Sequence, residues 1–380
     1  MNKLFICLSI ALLPAIVMAQ KKDKSATPKV FDLLIGGYTN PDGNVGITVY
    51  RFYAETGRVA FLSEVQTASP TFLCVSPDRK FVYSVNATSP EGGVSAFSFD
   101  YNTGLMKLIN KQPSVGGNPA HITIDKEAKN VIVSNYGTGT LSVLPINKDG
   151  SLAPATQTIV GEGSSIIPQR QAGSHIHSAI FSPDEKHVLY ADLGTDKISI
   201  AKYKAGKVPA LTPEEGDVEK VKPGSGPRIF DFSPDGKFLY LINEMGATIN
   251  IYAYDKGKVK LVDNVNMSPA NFTGTNAAAD IHLSPNGKFL YATNRGTANE
   301  LLVYSVDQVS GKLTYVYRYA TAPEPRNFVI EPGGNFLILA AQKNNTVHIF
   351  KIDQQKGTLS PFNNTINIPT PTVLKLVSAE

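Results

Sequence analysis

His177, Arg228, Glu244 and Arg295 are the residues whose types fit a single reaction. A histidine and a carboxylate can exchange protons with a bound water and a leaving group. Guanidiniums can stabilise a developing oxyanion or clamp a carboxylate or phosphate with paired N–H donors. That combination fits hydrolysis of an ester-type bond in a small anionic molecule. His121, Tyr136, His175, Asp280, Arg326 and Gln342 fall at related positions and are the candidate substrate contacts. Glu244 is assigned as general base and His177 as proton donor, with exchange of the two roles left open. No serine or cysteine nucleophile motif accompanies them, so direct attack by water is expected.

These residues are grouped by a repeat, not by proximity in the chain. One phrase recurs at Ser76-Pro77-Asp78, Ser182-Pro183-Asp184, Ser233-Pro234-Asp235 and Ser284-Pro285-Asn286, each followed by Lys and an apolar run ending in Tyr. Weaker copies begin at Asp125 and Glu331. Aligned on Lys80, Lys129, Lys186, Lys237, Lys288 and Asn335, the steps are 49, 57, 51, 51 and 47 residues. A second phrase is a turn carrying Gly57, Gly104, Gly150, Gly206, Gly257, Gly311 or Gly357, seven copies in all. Glycine there supplies the positive φ that tight hairpins need. Each period holds four short runs rich in β-branched and aromatic residues, with no sustained helical spacing.

Four antiparallel strands per period of about 50 residues, seven times over, predict an all-β, seven-bladed β-propeller over residues 31–380. Blade one lacks a first strand, and Thr370–Leu376 matches the opening strand at Ser69–Val75. The C-terminal strand is therefore expected to complete blade one and close the ring, leaving no free edge.

The repeat also predicts which residues share one mouth of the ring. The start of a hairpin's first strand and the end of its second lie together. Before strand one stand Thr71, Ala120, His177, Arg228, Ala279 and Arg326, followed by Phe72, His121, Ser178, Ile229, Asp280 and Asn327. After strand two stand Ala87, Tyr136, Leu193, Glu244, Arg295 and Gln342. These columns differ from blade to blade where the structural columns repeat, which marks a pocket. Asn86, Asn135, Asp192, Asn243 and Asn294 repeat instead, as main-chain caps do. His175 and His177 alternate on a strand, but no third ligand of suitable type stands out, and the arginines oppose a cation. No metal or cofactor is expected. His187, His282 and His348 read as structural.

Composition narrows the partners. The chain has 380 residues, 42% hydrophobic and 18% charged, with a formal net charge of +4. That excludes a disordered chain, and no basic run is long enough to track nucleic acid. Residues 1–19 read as a secretory signal peptide: a basic start, an apolar run from Leu4 to Met18, and Ala19 at the cleavage point. Residues 20–30 read as a flexible lead-in. The expectation is a periplasmic or secreted protein with no membrane contact after cleavage, a monomer or weak oligomer. Cleavage leaves Cys74 as the one thiol, which excludes an internal disulfide.

From about Leu34 to Leu376 the motifs resemble the lactonase family of seven-bladed propellers. That family includes bacterial 6-phosphogluconolactonase and fungal 3-carboxy-cis,cis-muconate lactonizing enzyme. The motifs that carry the resemblance come in order, one set per blade. They are Leu34–Thr39, Gly117–His121, Ser134–Gly139, His175–Ser178 with Ala191–Asp196, Pro223–Arg228 with Asn243-Glu244, Ala278–Ile281 with Thr293–Gly296, and Pro325–Phe328 with Ala341-Gln342. The resemblance implies functional roles for His177 (or His175), Arg228, Glu244 and Arg295. It implies a small anionic lactone or sugar acid as ligand. Ile229, Ala87 and Asp280 depart from the family pattern, which usually has His, Glu and Glu there. Two other readings use the same residues: a lactonizing cycloisomerase, and a non-enzymatic propeller that binds a sugar acid or a protein.

Overall fold

The computed structural model describes residues 29–40, 43 and 45–380. The expected signal peptide and most of the lead-in lie outside the described residues. Among the described residues, seven antiparallel sheets of four strands form a ring. The innermost strands are Leu73–Val75, Pro119–Ile124, Ile176–Phe181, Pro227–Phe232, Ala278–Leu283, Pro325–Ile330 and Pro371–Ser378. Each packs beside the next, and the last beside the first. Pro371–Ser378 pairs antiparallel with Val30–Gly37, Leu374 standing opposite Ile35. Blade one is thus built from both ends of the chain, as the sequence predicts.

The two repeated phrases are the two halves of one contact between blades. Within the Ser-Pro-Asp phrase, Ser233 Oγ donates to Asp235 Oδ1 at 2.7 Å, and Phe238 N donates back to Ser233 Oγ at 2.9 Å. This locks the hairpin and places Phe238 and Tyr240. The glycine turn of the next blade then rests on that pair. Tyr240 Oη donates to the Gly311 carbonyl at 3.0 Å, and a Cβ at Gly311 would lie 2.4 Å from the Phe238 ring. Gly311 also has φ +75°, so both the turn and the close approach require glycine. The same arrangement joins Tyr83 and Phe81 to Gly150, and Tyr291 and Phe289 to Gly357. His187 takes the Phe position beneath Gly257.

The hydrophobic core is divided accordingly. The buried apolar residues fall into seven clusters, each between two neighbouring blades. One joins Tyr240, Ile242 and Ile249 of blade five to Ile281, Leu290 and Leu302 of blade six. The two sheets stack face to face, as in a sandwich. The axis of the ring is therefore relieved of core packing and can carry polar side chains.

Candidate active site

The strands aim the candidate residues at the axis by a repeated irregularity. Pairing of the innermost strand with its neighbour slips between Pro119 and His121, Ile176 and Ser178, Pro227 and Ile229, Ala278 and Ile281, and Pro325 and Asn327. The skipped residues include Ala120, His177, Arg228, Ala279 and Arg326. A bulge frees such a residue from the alternation of the pleat and re-aims its side chain. Glu244 and Arg295 follow directly on the second strands Phe238–Asn243 and Phe289–Asn294.

At this mouth lies a cavity of about 210 Å³, lined by His177, Arg228, Glu244, Asp280, Arg295 and Arg326 together with Tyr38, Phe72, Tyr136 and Arg170. It is small against the roughly 300–1,000 Å³ of drug-sized sites, so its ligand is small.

Glu244 is the electrostatic centre. Its Oε2 accepts from Arg228 Nε at 2.8 Å and lies 3.1 Å from Arg295 Nη2. Its Oε1 accepts from Arg170 Nη2 at 2.7 Å. Burial favours the neutral acid, but the guanidiniums overcome it and hold the carboxyl far below its ordinary range. The arginines are held in turn. Arg228 donates to the Ala279 carbonyl, and Arg295 Nε donates to the Ala277 carbonyl at 2.9 Å. Arg295 Nη1 also pairs with Glu324 at 3.3 Å. Burial, then the neighbouring Arg295, brings the Arg228 guanidinium down to about 9. Arg326 has no carboxylate partner among the described residues. It donates to Gln342 Oε1 at 3.0 Å and to Tyr38 Oη at 3.5 Å. The cavity therefore carries surplus positive charge.

His177 is buried, and its Nδ1 has no hydrogen-bond partner. Burial and then the Arg228 charge keep the imidazole well below its usual pKa, so it is neutral at physiological pH. The edge of Tyr136 meets its ring at 5.8 Å. Asp280 lines the cavity, but its Oδ2 accepts from Asn327 Nδ2 at 2.6 Å and from Phe328 N at 3.0 Å. His282 Nε2 lies 3.3 Å from the same oxygen. Asp280 is thus committed to bracing blades six and seven.

Three predicted contacts stand behind the wall. His175 stacks on Tyr136 at 4.6 Å, with Nδ1 2.7 Å from the Tyr136 carbonyl oxygen, so His177 is the histidine that faces the cavity. His121 lies against Phe72 at 4.2 Å, its Nδ1 unpartnered, and burial lowers it to about 3. Gln342 holds Arg326. The repeated Asn and Asp column serves the main chain. Asn86 donates to the Ala68 carbonyl, Asn135 donates to that of Ser114, and Asp192 accepts from His175 N. Among the described residues, no three His, Cys, Asp or Glu side chains are grouped to hold a metal ion.

Sequence reasoning missed Arg170. It stands on the helical turn Pro168–Gln171, in the connection from blade three to blade four. The signal was the step of 57 residues from Lys129 to Lys186, the longest in the repeat. Asp196 ties this connection to the loop that leads into the strand of Arg228. Its carboxylate accepts from Ser165 Oγ at 2.5 Å, Gly224 N at 2.6 Å and Gly226 N at 2.7 Å.

Comparisons with known proteins agree with this architecture. A family model described as "Lactonase, 7-bladed beta-propeller" matches residues 32–376. A 6-phosphogluconolactonase of Formosa agariphila is 37% identical over 332 residues, covering 86% of this chain and 94% of the relative. A 6-phosphogluconolactonase of Bacillus subtilis is 32% identical over 352 residues, covering 90% and 97%. The solved periplasmic gluconolactonase of Pseudomonas aeruginosa superposes with a TM-score of 0.85 at 31% identity, covering 92% of this chain and all of that one (100%).

Proposed function

The chain belongs to the lactonase family of seven-bladed β-propellers, and from that premise we propose that it hydrolyses a sugar-acid lactone bearing a remote anionic group. The observation that carries this reading is a neutral, unpartnered imidazole at the edge of a cavity with surplus guanidinium charge. The named relatives make 6-phosphogluconolactone the first substrate to test.

The geometry supports exchanging the acid and base roles. Glu244, held by three arginines, is a weak proton acceptor. His177 is neutral, lines the cavity and is the base. Water attacks the lactone carbonyl carbon as the imidazole takes its proton. The carbonyl oxygen becomes an oxyanion, stabilised by Arg228 and Arg295. The intermediate collapses with cleavage of the bond from the acyl carbon to the ring oxygen. The imidazolium then returns its proton to the alkoxide, leaving a hydroxy acid. Glu244 fixes the arginines and stabilises the imidazolium while it exists. The guanidiniums fill the electrophilic role throughout, so no metal is required.

The test is a panel of phosphorylated and unphosphorylated lactones, read by acid release with product identification. Export, expected from residues 1–19, would bring unphosphorylated aldonolactones within reach, so both classes belong in it. His177→Gln is expected to lose more than about 10²-fold in kcat. Near-wild-type turnover by that variant removes His177 from the mechanism. A cyclised or isomerised product without acid release replaces hydrolysis with the cycloisomerase reading.

A further inference from the structure

Of the three arginines on Glu244, two are built into the ring and one is not. Arg228 and Arg295 lie on the walls of blades five and six with side chains only 5% and 8% exposed, and each is also fastened to a main-chain carbonyl. Arg170 reaches in from the connection between blades three and four, and its side chain is 42% exposed. The base of that connection is firm. Gln171 is fully buried, and its Nε2 donates to the Leu193 carbonyl at 2.8 Å. Ser165 N donates to the Gln171 carbonyl at 2.9 Å. The guanidinium tip is held by Glu244 Oε1 and, at 3.3 Å, by Tyr136 Oη. No other hydrogen bond or ion pair fixes it among the described residues.

Arg170 therefore has a rigid root, an accessible head and one strong partner, which faces the same cavity. An entering oxyanion competes with Glu244 for that head, and both can be met by rotation of the side chain alone. Resting on the lactone reading, we propose that Arg170 is a specificity-determining residue that transfers from Glu244 to the remote oxyanion of the substrate. The exchange has a second effect. Once Arg170 has left, the charge of Glu244 is less neutralised, and an imidazolium on His177 is better stabilised. A lactone without the anion leaves Arg170 on Glu244 and gains neither the contact nor the stronger base.

The experiment compares 6-phosphogluconolactone with unphosphorylated glucono-δ-lactone as substrates of wild type, Arg170→Gln and Arg170→Lys. Wild type is expected to favour the phosphorylated lactone in kcat/KM. The ratio between the two substrates is expected to fall about tenfold or more in Arg170→Gln, the worth of one charge-assisted hydrogen bond, and to recover in part in Arg170→Lys. An unchanged ratio in Arg170→Gln overturns the proposal, whether both activities drop together or neither does. If wild type hydrolyses neither lactone, the reading of the substrate fails, and calorimetric titration with inorganic phosphate decides the role of Arg170 separately. Binding at least about fivefold weaker in Arg170→Gln than in wild type supports it. Equal affinity, or no binding by wild type, overturns it.

Discussion

Replacing Glu244 by Gln keeps the shape of the side chain and removes the charge that three guanidiniums share. With charge centres about 4 Å apart and an effective dielectric near 20, each pair is worth roughly 4 kcal/mol of attraction. Three pairs give about 12 kcal/mol before desolvation and the mutual repulsion of the arginines. Those opposing effects cancel most of the gain, and removing one partner of a buried pair costs about 3–5 kcal/mol. Some 350 ordered residues imply an unfolding entropy of roughly 0.7 kcal/mol/K, so melting should drop by about 4–7 °C at pH 7. The pH dependence has a definite sign. The folded-state pKa of Glu244 is depressed, so its stabilising effect is complete above the unfolded value of about 4.3 and is lost as pH falls further. The melting gap between wild type and variant should therefore be widest near neutrality and close in acid. Inorganic phosphate should stabilise the variant by about 2.7 kcal/mol at a concentration of 100 times its Kd, and narrow the gap by the amount that this exceeds the wild-type gain. The assay is thermal unfolding from pH 3 to 8 with and without phosphate, beside kcat, which should fall more than about 10²-fold. A variant that melts within 1 °C of wild type at pH 7 and gains nothing extra from phosphate would refute the claim that Glu244 organises the arginines.

Two further outcomes are expected. Truncation after Ile368 removes the closing strand with the buried side chains Val373, Leu374 and Val377, each worth about 1.5–3 kcal/mol. Together with the lost pairing to Val30–Gly37, this rivals the whole stability of a domain, so the product should unfold or aggregate; a melting curve like that of the full chain would disprove ring closure. His282 lies between Asp231 and Asp280 and is raised to about 10 by those carboxylates, against its burial. Its contribution is complete below the unfolded value of about 6.5 and fades as pH rises through 10, so denaturant unfolding of His282→Gln should differ from wild type more at pH 6 than at pH 9.

The repeat makes the blade count, the ring closure and the sharing of one mouth by His177, Arg228, Glu244 and Arg295 legible in the sequence. Those properties follow from period and antiparallel pairing, which sequence alignment of the blades records directly. The bulges were invisible because an extra residue at the end of a strand resembles loop. His175 and His177 could not be separated for the same reason, since the slip between Ile176 and Ser178 decides which of them faces inward. Arg170 was hidden because it belongs to no column of the repeat; only the long step from Lys129 to Lys186 marked the insertion that carries it. The weakness of Glu244 as a base depends on three charges drawn from three separate stretches of chain, and residue types alone do not report that convergence.

The pairing of Val30–Gly37 with Pro371–Ser378 also sets a timetable. At roughly 5–20 residues per second of synthesis, about 20–70 s separate the emergence of these two strands. Throughout that interval the first strand offers an open hydrogen-bonding edge with no native partner yet made. The last eight-residue strand acts as a latch, and a nascent chain must be kept from intermolecular pairing until it arrives. Closure here is the last step of synthesis, and a ribosome that stalls between residues 367 and 371 releases six finished blades and an unfinished blade one.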